Sequence, residues 1–173
     1  ILDIHDSYHI LKSAKSVFGF DFDEYQFSNM LNAFIDETKK LPIEARVALS
    51  LFTLNHQENE ADFEATKKLL LDEHRNLNEE LIEMLLMNLQ NFCQRRADEG
   101  QDDFLLERFQ LFDWETKYGY VLESVGGKLK SQHFLGAVST GLRVGELSWV
   151  DTFIEEYGGR LTGEHSNDIL SFC

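Results

Sequence analysis

Four times along this chain a residue with helix-capping chemistry is followed at once by an aromatic: Asp21-Phe22, Asp62-Phe63, Asp103-Phe104 and Ser148-Trp149. The four aromatics are separated by 41, 41 and 45 residues. A self-similar period of about 20 to 50 residues marks stacked units, each unable to bury its apolar face without a neighbour. The period predicts an all-α fold, a right-handed α–α superhelix of about four helical hairpins plus part of a fifth. Each aromatic would then open the second helix of a hairpin and pack against the neighbouring one. The competing expectation is an irregular helical bundle, in which Asp caps and frequent Phe coincide without a repeat.

The clearest hairpin runs from Ser131 to Tyr157. Phe134, Leu135, Ala137, Val138 and Leu142 are apolar at helical spacing, and so are Trp149, Val150, Phe153, Ile154 and Tyr157. Gly145 suits a helix end and Ser148 a helix start, with Asp151 three residues on. The rest of the chain divides in the same way. A first helix is expected from about Asp3 to Phe18, and a second from Asp21 to near Lys40, with Glu24 completing a capping-box-like pair. Pro42 starts a third, where its missing N–H costs nothing. Asp62 would cap a fourth, Asn78 a fifth that is very apolar from Leu81 to Cys93, and Asp103 a sixth. The run RRADEGQD reads as the turn after the fifth helix, with Gly100 as its stop, and Gly119 to Lys130 as the longest irregular piece. A ninth helix starts at Thr162 or Ser166 and carries Ile169, Leu170 and Phe172. Those apolar residues are expected to pack on the Ser148 to Tyr157 helix and to leave an uncovered edge.

Composition narrows the partners. The 173 residues make one domain the default, residues 1–173, and the ends suggest a fragment of a longer chain, because Ile1 is no initiator and Cys173 stops a new helix short. A hydrophobic content of 43% is too high for disorder. The formal charge of −15 repels phosphate backbones, so nucleic acid and anionic membranes are poor partners. No apolar run approaches the ~20 residues of a membrane span, and the first ten residues lack a signal peptide's basic start. Two cysteines, Cys93 and Cys173, make no disulfide framework, which favours a reducing, cytoplasmic setting.

Three runs occur in order, NFCQRRADEG at Asn91 to Gly100, LERFQLF at Leu106 to Phe112, and GLRVGELSWVDTFIEEY at Gly141 to Tyr157. In these the chain resembles a group of uncharacterised bacterial helical-repeat proteins of the tetratricopeptide-like kind, over roughly its C-terminal half. The resemblance implies an α–α superhelix and no particular activity. The period near 41 departs from the 34 of tetratricopeptide repeats, and their Trp-Leu-Gly-Tyr pattern is absent.

Residues able to carry chemistry are sparse. His5 and His9, four apart with Asp3 and Asp6 nearby, can present two ligands to a metal, but spacing places no third. Solvated histidines are the simpler expectation, as for His56 and His133 near helix ends. Cys93 sits in an apolar helix and reads as core rather than nucleophile. Glu79-Glu80, Asp102-Asp103 and Glu155-Glu156 are neighbours in sequence only, since adjacent helical residues point apart. No Ser-His-Asp order, phosphate-binding glycine loop or zinc motif is present. No enzyme and no cofactor are expected.

A polar stripe on the first helix of each hairpin is the candidate binding surface. It runs His5-His9-Lys12-Ser16, then Arg46-Ser50-Thr53-Gln57, then Asn88-Asn91-Arg95, then Gln132-Ser139-Arg143. Members lie three, four or seven apart, hence on one helix face. First helices line the concave side of such arrays. The expectation is a scaffold without catalysis that binds a protein or an acidic peptide through Arg46, Ser50, Thr53, Asn88, Asn91, Arg95, Gln132, Ser139 and Arg143. Self-association through the C-terminal edge is a further possibility. The alternatives are a structural or oligomerising segment of a larger protein, or a metal-dependent enzyme using His5 and His9. The simplest account of the stripes is the solvated face of amphipathic helices.

Overall fold

A computed structural model describes residues 42–120 and 129–162. These form six α-helices and one two-residue strand pair, so the described chain is all-α. The expected first, second and ninth helices, His5, His9 and the packing of Ile169 and Leu170 lie outside the described residues. The chain divides into two compact units, Ile1–Leu69 and Leu70–Cys173, the boundary falling inside the second described helix.

In the first unit, α1 (Ile43–Gln57) follows Pro42, whose carbonyl accepts from the Arg46 N–H at 3.1 Å. Glu58, in the left-handed region at φ 47°, ends it. The next helix, α2 (Glu60–Glu73), starts two residues before the expected Asp62 cap. Asn59 Oδ1 accepts from the Asp62 N–H at 2.9 Å, so Asn59 performs the capping. Asp62 sits in the first turn, where a negative charge suits the helix dipole. Burial nevertheless pushes its carboxyl above the ordinary range, against the lowering effect of its hydrogen bond with Asn59. Among the described residues of this unit, Val47, Leu51, Leu54 and Phe63 are the buried apolar positions.

In the second unit, α3 (Glu79–Asp98) is capped as expected, with Asn78 Oδ1 accepting from the Leu81 N–H at 2.9 Å. It runs through Arg95, Arg96, Ala97 and Asp98, which the sequence places in a turn; two arginines in the last turn complement the dipole. Gly100 at φ 89° follows. Helix α4 (Asp103–Tyr118) begins without a side-chain cap bond, so Asp103 is its first residue rather than its cap. Strand β1 (Leu129–Lys130) leads into α5 (Ser131–Val144), and α6 (Leu147–Tyr157) ends in a 3-10 turn, Gly158–Arg160, and strand β2 (Leu161–Thr162). The two strands pair in parallel, Leu129 with Leu161 and Lys130 with Thr162, and tie the hairpin's entrance to its exit.

The α5–α6 junction is the tight turn expected. Gly145 takes φ 83°, the Glu146 N–H reaches the Gly141 carbonyl at 2.9 Å, and the Gly145 N–H reaches that of Leu142 at 3.2 Å. Ser148 lies inside α6 and does not cap it. Beneath the turn the helices nearly touch: a Cβ on Gly141 would come within 2.5 Å of Val150 Cγ2. The core around this hairpin comprises Phe112 of α4 with Leu129, Phe134, Ala137, Val138, Val150, Phe153 and Tyr157. Its rings pack in series, Phe134 on Phe153 at 5.6 Å and Phe153 on Tyr157 at 4.9 Å.

The recurring aromatics do not occupy equivalent positions. Phe63 is the fourth residue of α2, Phe104 the second of α4 and Trp149 the third of α6. Phe63 is buried, whereas Phe104 and Trp149 are half-buried. Phe104 meets Phe92 within its own α3–α4 pair, and Trp149 meets Phe109 of the preceding pair at 5.1 Å. None of the described residues preceding these aromatics makes the expected cap, and Asp21-Phe22 lies outside the described residues.

Candidate interaction face

Helix α4 presents one face to two neighbours at once. Arg108, Phe112 and Glu115 lie four and three residues apart on that face. Arg108 Nη1 donates to Gln94 Oε1 of α3, and the same nitrogen donates to Thr140 Oγ1 of α5 at 3.2 Å. Glu115 Oε2 accepts from Gln90 Nε2 of α3 at 3.0 Å, and Glu115 Oε1 lies 3.2 Å from His133 Nε2 of α5, without hydrogen-bond alignment. A third, exposed link joins α3 directly to the entrance of α5, Lys130 Nζ to Glu83 Oε1 at 3.6 Å.

These rungs fix the helix directions. Along α3 the partners rise from Glu83 through Gln90 to Gln94, while from Lys130 at the entrance of α5 they rise through His133 to Thr140. Along α4 they run the other way. So α3 and α5 lie side by side and parallel, both antiparallel to α4. The buried part of the seam is polar, with Gln90 6% and Glu115 and Thr140 each 1% exposed. Buried polar groups persist only when partnered, and these specify how the three helices register.

Arg108 is the least satisfied member. Its Nε is enclosed and has no acceptor among the described residues. Burial lowers its basicity; Cys93 and Asp98 oppose that effect, and Arg143 adds to it by like-charge repulsion. Asp98 does not pair with it directly, since Gln94 Nε2 donates to Asp98 Oδ1 at 2.6 Å while Gln94 Oε1 takes the guanidinium.

The stripe residues divide between the two units. In the first, Arg46 and Thr53 are half-buried, and Ser50 is turned onto α2, its Oγ 2.6 Å from Thr66 Oγ1. Thr53 Oγ1 donates to the Ser50 carbonyl. In the second, Asn91, Arg95, Gln132, Ser139 and Arg143 are exposed; Asn88 is half-buried, its Nδ2 donating to the Met84 carbonyl at 2.8 Å. Arg95 and Arg143 both stand in the last turn of their helices, so the parallel arrangement puts both cations at the same end. Large apolar groups share these faces: Met87 is 48% exposed on α3, Leu135 43% and Leu142 51% on α5. Sequence spacing identified the polar members and counted Leu135 and Leu142 among the apolar positions of the helix.

A second cluster gathers where α2 gives way to α3. The His74 ring sits 5.5 Å from Trp114 and 5.1 Å from Tyr118, and Tyr120 stacks on Trp114 at 5.4 Å. His74, Asn78, Glu80 and Tyr120 border a shallow, open depression beside it. The i,i+4 spacing of Trp114 and Tyr118 was the available signal for this cluster.

Among the described residues no three His, Cys, Asp or Glu side chains are grouped to hold a metal ion. Nor, among them, is any helix long and apolar enough to cross a membrane. Cys93 is fully buried, as its apolar helix implied. No family model, no curated protein and no solved structure matches the chain.

Proposed function

We propose that this chain is a helical-repeat scaffold, an α–α superhelix that binds a peptide or protein segment and catalyses nothing. The observation that carries this is the shared guanidinium of Arg108, which bonds α3 and α5 through one nitrogen and so accounts for their side-by-side, parallel course. Successive first helices run this way in arrays of stacked hairpins, and their common surface is where such arrays take ligands. The α3 and α5 faces mix apolar groups (Met87, Leu135, Leu142), amides and hydroxyls (Asn91, Gln132, Ser139) and two cations, Arg95 and Arg143. In a chain of net charge −15, cations gathered at one end favour an acidic segment there and repel basic ones, which the surrounding acidic surface attracts. The cytoplasm is the proposed setting, and the tetratricopeptide-like bacterial proteins the proposed kin.

Selection from a displayed random peptide library tests this. The full chain should enrich sequences combining acidic and large apolar residues, and counter-selection against an Arg95→Glu/Arg143→Glu variant should remove them. Enrichment of nothing above background, or of the same peptides by both proteins, would refute the proposal.

A further inference from the structure

On α5 the stripe residues Gln132, Ser139 and Arg143 are joined by a fourth position, Gly136, at spacings of four, three and four. All four lie on one helix face. At Gly136 side chains of α4 lie directly against the backbone of α5: a Cβ built there would lie 3.2 Å from Arg108 Nη2 and 3.6 Å from Phe112 Cζ. Every other residue would place its side chain on that nitrogen. Arg108 Nη1 is committed to Gln94 and Thr140 and Nε is enclosed, so Nη2 is the guanidinium nitrogen that is neither enclosed nor given an acceptor among the described residues. No described carboxylate lies within ion-pair distance of Arg108, because Gln94 stands between it and Asp98. The guanidinium carbon lies over the Phe112 ring, 5.4 Å from its centroid, within cation–π range.

We propose that Arg108 Nη2, reached through the gap at Gly136 and assisted by Arg143, is the carboxylate-recognition point of the peptide face. This rests on the peptide-binding proposal above. The site takes a carboxylate from a Glu or Asp side chain or from a chain end. Charge-assisted bonds between guanidinium and carboxylate are among the strong ones, and a half-buried guanidinium has less hydration to lose on binding than an exposed one. Burial and the nearby Arg143 charge both disfavour the isolated cation, and an arriving anion relieves both. A dianionic phosphate meets twice the repulsion from the −15 chain, so the monoanion is the better fit. Sequence spacing found Arg143 but not Arg108, which belongs to a second helix, and not Gly136, which has no side chain to count.

The test follows the arginine Nε–Hε signals of the full chain by NMR during titration with three acetylated nonapeptides. The first is three Gly-Leu-Glu triplets with an amidated end. The second carries glutamine for each glutamate, and the third is that glutamine peptide with a free terminal carboxylate. A shift of the Arg108 and Arg143 signals by the first peptide but not the second supports a side-chain carboxylate. A shift by the third alone supports a chain end. Gly136→Ala should keep the melting temperature of the parent, since alanine suits a helix interior, and weaken the responding peptide at least tenfold. Equal binding of all three peptides, movement of the Arg143 signal alone, or full affinity in Gly136→Ala would overturn the carboxylate site and leave the scaffold standing. Binding of none of them overturns both.

Discussion

Glu115 is 1% exposed and carries a carboxylate, a combination that an apolar core does not tolerate without donors. Gln90 supplies one at 3.0 Å, and His133 stands 3.2 Å from the other oxygen. Gln90→Leu would remove the donor while keeping most of the volume. It should destabilise the chain by about 1–3 kcal/mol, the usual cost of leaving a buried polar group unsatisfied. Urea unfolding followed by circular dichroism measures it. Tyr157 gives a second test at this scale. Burial, then the hydrogen bond and charge of Glu156, push its phenol up to about 12, with Arg160 opposing and Glu115 adding. A group whose folded pKa is raised contributes stability that is complete below its unfolded value near 10 and is lost as pH climbs through the folded one. Stability should therefore fall between pH 10 and 12, with a shallower fall in Tyr157→Phe. A slope unchanged by that substitution would remove Tyr157 as its source.

At the scale of the elements, the α5–α6 hairpin depends on one missing side chain. Gly141→Ala would put a methyl group within 2.5 Å of Val150 Cγ2, and Trp149 lies at 3.4 Å, so both helices must move. Overpacking costs about 1–3 kcal/mol, which outweighs the helix propensity that alanine brings. A lowered melting temperature, with Gly136→Ala as the tolerated control, is the expected outcome. These helices were legible in advance because 3.6-residue periodicity and left-handed glycines are local signals. Gly100 and Gly145 end helices where their residue type says they should, and Asn78 caps α3. Helix starts were less legible. Asp62, Asp103 and Ser148 have capping chemistry, yet α2 starts after Asn59, α4 starts at Asp103 and α6 before Ser148. Several residues near each start can cap, and tertiary packing chooses among them. The Gln90, Glu115 and His133 contacts were not legible at all. They join residues 25 positions apart between Gln90 and Glu115, and no periodicity within one helix encodes a partner on another.

For the whole molecule, the polar seam and the exposed faces have one cause. Helices α3 and α5 pack on α4 with the same edge, so Gln94 and Thr140 turn inward to Arg108 while Asn91, Arg95, Ser139 and Arg143 remain outside. The cations owe their place partly to the helix dipole, since both stand in last turns. That alone makes them stabilising. Only binding shows that they also form a recognition surface. The most direct measurement is the affinity of one acidic peptide from the displayed library for the parent chain and for Arg95→Glu/Arg143→Glu, by calorimetry, with helicity checked by circular dichroism. The double variant should keep the parent's helicity and lose at least a hundredfold in affinity, about 2.8 kcal/mol at 1.4 kcal/mol per tenfold. Equal affinity in two equally helical proteins would contradict the account.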